Sequence, residues 1–296
     1  LGSAPAVDDH RTPTRAATFA EGELKLPAHL TIHAGGRMDW YSIYGVSLSP
    51  RVALVYEPTS KTTLKYVFGR AFRAPNAYES YYVDNVVIVA PTVTLKPETI
   101  TSQEVILEHA FRPWLHITTE AFNNNLDNLI DQDPDPVSGL THFVNSGRDH
   151  GRGIEAELDA QRTSGLAARV SYTFAHAMDD VQETFLQNSP MHTGKLNLTV
   201  PVVHRAFAGI EMLYSSSQTS YLETRVPPSF LANVTLSSKP VWGGWEFSAS
   251  CYNVLDRHWF SPAGPGFRQA ALAQDGRGYR FKASYRLPFG EKHPSQ

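Results

Sequence analysis

Cysteine is almost absent from this chain: Cys251 stands alone among 296 residues. It has no partner for an intramolecular disulfide, and a multi-cysteine metal site is excluded. Long apolar runs are missing too. The longest, residues 86–90, ends at Pro91 and falls far short of the ~18 residues that a membrane-crossing helix needs. Neither charge sign dominates, since the net charge is −3, so there is no global basic footprint for nucleic acid. No Gly-x-Ser-x-Gly, P-loop or dinucleotide fingerprint is present, which leaves catalysis and a bound cofactor without sequence support. Leu1-Gly-Ser-Ala-Pro-Ala6 lacks the basic start and apolar stretch of an export signal.

What is present is alternation. In Gly151-Arg-Gly-Ile-Glu-Ala-Glu-Leu-Asp-Ala160, Ile154, Leu158 and two alanines interleave with Glu155, Glu157 and Asp159. A strand sends successive side chains to opposite faces, so this one has an apolar face and an acidic face. Tyr279, Phe281, Ala283, Tyr285 and Leu287 interleave with Arg280, Lys282, Ser284 and Arg286 in the same way. So do Leu196, Leu198 and Val200 with Lys195, Asn197 and Thr199, and Trp245, Phe247, Ala249 and Cys251 with Glu246, Ser248 and Ser250. Period two outcompetes period 3.6 in each segment.

About thirteen strands are expected, near 14–25, 30–42, 48–57, 62–72, 99–110, 115–130, 142–161, 165–178, 192–202, 207–219, 228–238, 243–256 and 277–287. Many reach the roughly 9–11 residues that a tilted strand needs to cross a bilayer. Tight connections at 27–29, 57–61, 112–114, 162–165, 203–205 and 239–242 alternate with connections that are mostly long, notably 76–98, 131–140, 179–191 and 258–276. Short turns at one rim and long loops at the other are the pattern of an outer-membrane barrel. A soluble, lectin-like antiparallel sandwich is the competing reading, because its strands alternate as well. An odd strand count leaves an edge near 14–25, so the chain reads as the C-terminal part of a larger antiparallel barrel. Residues 1–289 are expected to form the wall and 290–296 a polar tail, and the export signal is expected either to have been removed or to lie upstream.

The order of several short motifs resembles the C-terminal half of TonB-dependent outer-membrane receptors. The resemblance rests on Leu48-Ser-Pro-Arg-Val-Ala-Leu-Val-Tyr56, Phe68-Gly-Arg-Ala-Phe-Arg-Ala-Pro-Asn76 and Leu95-Lys-Pro-Glu-Thr99 leading into Glu104 and Glu108. It continues through Phe143-Val-Asn-Ser-Gly147, Gly151-Arg-Gly-Ile-Glu155, Asn188-Ser-Pro190, Lys195-Leu-Asn197 and Tyr252-Asn-Val-Leu-Asp-Arg257. The family's plug and TonB box have no counterpart in these residues, and its aromatic C-terminal residue is replaced by Pro288-Phe289 and the tail. The resemblance implies energy-coupled import, with a ferric siderophore as the commonest cargo and extracellular loops that capture it. It implies as partners the transported metal chelate, the lipid and lipopolysaccharide of the outer membrane, and the TonB complex through the plug. Within the membrane class the runner-up is a passive porin-like channel. A hydrolase carried on a barrel is a third reading.

The candidate ligand residues are Tyr78, Tyr81 and Tyr82 in the long connection 76–98, with Arg70 and Arg73 beneath it. Tyrosines suit stacking and hydrogen bonding to a planar or chelated ligand, although anchoring in the headgroup zone would also use them. The two arginines suit bidentate contact with a ligand carboxylate. Equally, they suit pairing with Glu104, Glu108, Glu155 and Glu157, which alternation places on the inner face. Asp131, Asp133 and Asp135 offer hard oxygens for calcium, but Pro134 and Pro136 favour a solvated turn. His10, His142, His150, His176 and His192 could meet metal in loops, but lacking the spacing of a helical or finger-type site they read as exposed loop histidines. Gly264, Gly266, Gly276 and Gly278 read as turn glycines with positive φ. Trp40, Trp114, Trp242, Trp245, Tyr56 and Tyr285 near strand ends suit interfacial girdles.

Overall fold

The computed structural model describes residues 11–83, 87–89, 91, 93–134, 139–203, 205–241 and 243–285. Two hairpins come first: β1 (Arg15–Leu26) with β2 (Leu30–Tyr41), and β3 (Gly45–Thr59) with β4 (Thr62–Arg73). A single-turn helix, α1 (Ala77–Tyr81), opens the long connection to β5 (Glu98–Arg112). β6 (Leu115–Pro134), β7 (Thr141–Gln161) and β8 (Ala167–Asp179) follow, and the short β9 (Thr184–Phe185) folds back on β8. Next are β10 (His192–Val203), β11 (Ala206–Ser215), a small hairpin of β12 (Gln218–Thr219) and β13 (Arg225–Val226), and β14 (Ser229–Ser238). β15 (Trp245–Tyr252), a second small hairpin of β16 (Phe260–Pro262) and β17 (Ala271–Ala273), and β18 (Gly278–Tyr285) complete the order.

The main sheet has 14 strands, and its path β1-β2-β3-β4-β5-β6-β7-β8-β10-β11-β14-β15-β18 steps through chain neighbours, with β9 attached to β8. These thirteen path strands are the thirteen expected. The chain resolves into two compact units. One comprises Leu1–Glu108, Glu120–Ile154 and Ala175–Leu186, and the other His109–Thr119, Glu155–Phe174 and Gln187–Gln296.

Register makes the alternation two-dimensional. In the first unit Leu24, Ile32, Leu54 and Tyr66 form one cross-strand row, while the next row is Glu23, His33, Ala53 and Val67. In the second unit Ala208, Leu236, Ala249 and Phe281 form an apolar row. On the opposite face Asn233 Nδ2 donates to Glu211 Oε2 at 3.2 Å, and the Thr235 and Ser250 hydroxyls lie 2.8 Å apart.

Among the described residues no second sheet covers the apolar face. Phe281 is 80% exposed, Phe19 70% and Tyr279 68%, whereas the buried apolar residues among those described are Ile88, Leu95, Phe143, Val226, Ala232 and Ala263. A soluble sandwich hides such rows between sheets, so that reading is overturned. No described helix is long and apolar enough to cross a membrane.

Several boundaries differ from expectation for local reasons. β15 stops at Tyr252 rather than 256, because Asn253 and Asp256 adopt φ of 46° and 51°. The Asn253 side chain secures that turn, accepting from Arg257 N at 3.0 Å and donating to Arg257 O at 2.9 Å. The stretch 207–219 breaks after Ser215, and β6 continues to Pro134, so Asp131 and Asp133 extend a strand rather than forming a solvated turn. Asp135 lies outside the described residues, as do Trp242, His10, Pro288, Phe289 and the tail 290–296. The described glycines with positive φ are Gly45, Gly139, Gly165, Gly243 and Gly244, so Gly264, Gly266, Gly276 and Gly278 are not held in turns for that reason. In the β1–β2 turn the left-handed positions fall instead on Ala28 and His29, each at φ 61°.

Candidate functional site

The 74–97 connection, which carries most of the expected ligand residues, is an ordered element where it is described. Asn76 starts α1 with a reciprocal cap: its Oδ1 accepts from Glu79 N at 2.9 Å, and Glu79 Oε2 accepts from Asn76 N at 2.8 Å. Two orphan amides of the first turn are thereby satisfied. The Glu79 carboxylate also accepts from Arg73 Nη1 at 2.9 and 3.1 Å. Arg73 reaches onward to Glu98, with Nη2 donating to Oε1 at 2.7 Å and Nε to Oε2. Glu98 Oε1 in turn accepts from Ile130 N at 2.9 Å. One guanidinium thus ties α1, the end of β4 and the start of β5.

Arg73 therefore satisfies carboxylates of the protein, although they are Glu79 and Glu98 and not the expected four. Glu108 is held by Lys65 at 2.6 Å, Glu157 by Arg169 at 3.4 Å, and Glu155 accepts from the Thr173 hydroxyl at 3.2 Å. The pairing expected for Arg70 is not found, and Arg70 makes no ion pair among the described residues. It lies three residues before Arg73 in β4, so alternation turns it to the other face.

The tyrosines separate into two roles. The rings of Tyr78 and Tyr82 are 4.4 Å apart, and Tyr78 meets the Phe143 ring edge-on at 5.6 Å. Tyr82 and Ile130 pack on the buried cluster of Ile88, Leu95 and Phe143. Tyr78 and Tyr82 thus pack the connection against β7. Tyr81 has the Arg11 guanidinium 4.5 Å above its ring.

Asn145, which the sequence reading passed over, fastens the same connection. Its Oδ1 accepts from Lys96 N at 2.7 Å, and its Nδ2 donates to Lys96 O at 3.0 Å and Asn128 O at 2.7 Å. Thr141 bridges Ile88 in parallel, donating to Val87 O at 2.7 Å and accepting from Val89 N at 2.9 Å. The signal available was an asparagine inside an otherwise strand-forming motif.

Of the histidines expected in loops, His142, His150, His176 and His192 lie instead in strands β7, β8 and β10. His150 Nδ1 lies 2.5 Å from Asp180 Oδ1, and its ring stacks on His176 at 6.0 Å. His192 Nδ1 is 2.7 Å from the Tyr172 hydroxyl, and His142 is buried. Among the described residues no group of three or more His, Cys, Asp or Glu side chains is arranged to hold a metal ion. Near strand ends, Arg162 lies 4.1 Å over the Trp114 ring, and Trp245 meets Tyr285 at 5.1 Å.

Beside α1 lies a cleft of about 810 Å³, lined in part by Arg11, Arg15, Tyr41, Ile43, Tyr44 and Tyr81. Tyr41 and Tyr44 meet in a tilted pair with centroids 4.5 Å apart. Burial, and then the neighbouring Tyr41, push the Tyr44 phenol well above the ordinary tyrosine range, so it is a hydrogen-bond donor at physiological pH. Of these lining residues only Tyr81 was anticipated. The rest flank β1 and the β2–β3 turn, short segments without a motif.

Sheet order, strand length and exposed apolar rows within each unit define a membrane-wall protein. The family described as TonB dependent receptor-like, beta-barrel matches residues 2–254, and the chain belongs to it. Its members are integral outer-membrane transport receptors rather than enzymes, which removes the hydrolase reading. No curated protein sequence matches the chain. Among solved structures, the ferric enterobactin receptor of Pseudomonas aeruginosa is similar at a TM-score of 0.76 and 18% identity, covering 95% of this chain and 46% of that one. The siderophore receptor PirA of Acinetobacter baumannii is similar at a TM-score of 0.77 and 15% identity, over 92% and 46%. The ferric-catecholate import receptor Fiu of E. coli K12 gives 0.73 and 14%, over 92% and 44%. The chain spans about half the length of these receptors.

Proposed function

We propose that this chain supplies wall strands and ligand-capturing loops to an outer-membrane receptor that imports a ferric siderophore by energy coupling through the TonB complex. The observation that carries this reading is the packing of the described part of the connection 74–97. A channel for passive flow needs an open mouth, whereas here α1, Arg73, Glu98 and Asn145 hold a folded loop in place at a ligand-sized cleft. Siderophore receptors among the structural relatives support iron as the cargo. In a receptor of this kind the work of release comes from the proton gradient acting on the plug, and the wall contributes rigidity and the capture surface.

The test is uptake of radioactive iron, presented as siderophore complexes, by iron-starved cells with the gene intact, disrupted and restored. Uptake that disappears on disruption, returns on restoration and stops when the proton gradient is collapsed supports the receptor. Gene-dependent uptake that persists after collapse of the gradient overturns energy coupling in favour of a passive channel. Uptake unaffected by disruption overturns the siderophore assignment.

A further inference from the structure

The rim of short turns in the second unit, the periplasmic rim in barrels of this kind, ends a groove on the apolar face of the wall. The groove measures about 520 Å³, its lining includes Ala206, Leu236, Phe247, Ala249, Phe281 and Ala283, and no Asp or Glu lines it. Register explains the hollow. Leu236 pairs with Ala249 and Ala249 with Phe281, while Phe247 pairs with Ala283. Large side chains therefore bank a floor of methyl groups. At the turn end Trp245 stacks on Phe247 at 6.1 Å and meets Tyr285 at 5.1 Å, an aromatic cluster of the kind that sits at headgroup level. Arg205 stands at the same end, in the turn just before Ala206. It is exposed, donates to Pro240 O at 3.5 Å and makes no ion pair among the described residues. Glu246, the carboxylate nearest along β15, pairs with Ser284, and alternation turns it to the face opposite Phe247. Lys239 leans over the Phe207 ring at 5.2 Å, and Phe207 alternates with Ala206 and Ala208.

We propose that this groove retains one anionic phospholipid of the periplasmic leaflet, an acyl chain lying in the hollow and the headgroup phosphate resting on Arg205. A guanidinium makes paired, charge-assisted bonds to phosphate, and Arg205 spends only one long bond within the protein. The Ser238 hydroxyl, which accepts from Phe247 N at 2.9 Å, keeps its own proton for a lipid oxygen. Acyl chains touch the whole outer wall, but a flat wall offers each chain contacts on one side only. Between Leu236, Phe247 and Phe281 a chain is touched from its flanks as well, and dispersion attraction grows with the number of atoms in contact. The aromatic cluster fixes the depth at which the headgroup lies. Charge argues for lipid over a second copy of the chain: a two-fold contact would set this cation against its own image, with no carboxylate on either groove. The site is at the rim opposite the long loops and holds whatever cargo the loops take.

The experiment uses the complete gene product that carries this chain, folded in detergent, checked by heat-modifiable gel migration and stripped of lipid. Phosphatidylglycerol, or phosphatidylethanolamine with the same acyl chains, is titrated in and the retained lipid is counted by native mass spectrometry. The expected result is one tightly retained phosphatidylglycerol per barrel and weaker retention of phosphatidylethanolamine. Apparent affinity should fall roughly tenfold in Arg205→Gln, with part of the loss restored in Arg205→Lys. Filling the floor with Ala249→Phe, or with Ala283→Leu should the first variant fail to fold, should cause a similar fall. Arg112→Gln, a cation of another short turn, should leave retention unchanged, and excess glycerol 3-phosphate should not displace the lipid. Displacement by glycerol 3-phosphate would reveal a phosphate site without a chain groove and overturn the proposal. So would retention that never saturates and is alike in all variants, equal retention of the two lipids, or a dimer that the floor-filling variant dissolves.

Discussion

Arg73 and Glu98 meet in a two-point contact at the junction of β4 and β5, with Nη2 donating to Oε1 at 2.7 Å beside a second bond from Nε. Arg73 is about half exposed while Glu98 and Glu79 are largely covered, so solvent screens the pair from one side only. Replacing Glu98 by Gln removes the charge and one acceptor, but keeps the shape. The expected cost is about 1 kcal/mol, and it should fall on the loop. Hydrogen exchange should quicken at Ser80 and Tyr82, the α1 amides bonded to Asn76 and Tyr78, and remain unchanged in β2 and β3. Equal loosening of those strands would show that the pair supports the wall, not the connection.

Tyr78 and Tyr81 are three residues apart in α1 but serve different surfaces. Tyr78→Ala removes the contacts with Tyr82 and Phe143, each ring pair being worth ~0.5–1.5 kcal/mol beyond its area. Limited proteolysis within residues 74–97 is therefore expected to accelerate severalfold in Tyr78→Ala. In Tyr81→Ala it should stay near the parent rate. The reverse order would refute the division of roles.

Gly165 adopts φ +93°, and a Cβ at that position would sit 2.8 Å from Phe207 Cε1. Both the left-handed backbone and the ring oppose a side chain, so Gly165→Ala should lose roughly 1–2 kcal/mol. Urea unfolding in detergent measures the loss. Combining it with Phe207→Leu should recover only the steric share, and full recovery would mean that backbone strain contributes nothing.

Ala28 and His29 present the opposite case, because both occupy left-handed backbone without glycine. Glycine at either position should stabilise the β1–β2 hairpin by up to ~1 kcal/mol, relief of strain being partly offset by the more flexible unfolded chain. A fall in the urea midpoint for both variants would contradict this.

Tyr44 supplies a pH signature. Burial raises its pKa above that of an exposed tyrosine, so as pH climbs past roughly 10 the unfolded chain releases this proton before the folded one does. Stability of the loop end should therefore decline with pH in that window, and Tyr44→Phe should reduce the decline. Ultraviolet difference titration provides the check. Subtracting the variant's titration from the parent's should leave a transition above the ordinary tyrosine range.

The strands were legible because a period of two survives every substitution that keeps polarity. Leu196, Leu198 and Val200 against Lys195, Asn197 and Thr199 state both the strand and its faces, and β10 runs through them. Connections were less readable, since they depend on single side chains bonding distant backbone. Nothing near Asn145 in the chain indicates that it holds Lys96, and Asn253 ends β15 through a φ value that its residue type merely tolerates. The division between Arg70 and Arg73 was available from alternation alone. The cleft was not, because Arg11, Arg15, Tyr41 and Tyr44 come from separate segments that only the register of β1 with β2, and the turn after β2, brings together.

The uncovered apolar rows change how substitutions at large hydrophobic residues should be read. Phe281 and Leu236, 80% and 56% exposed, line up with Ala208 and Ala249 on a face left open among the described residues. Truncating such a residue in a packed interior leaves a void that the surroundings cannot fill. Here the neighbouring medium is a fluid of acyl chains, which flows into whatever space a smaller side chain vacates. Size is accordingly a weak constraint on this face and polarity a severe one: phenylalanine, leucine and alanine are near-equivalents, while a single aspartate is an intruder. The wall tolerates drift in the shape of its outer surface and enforces its solubility in oil.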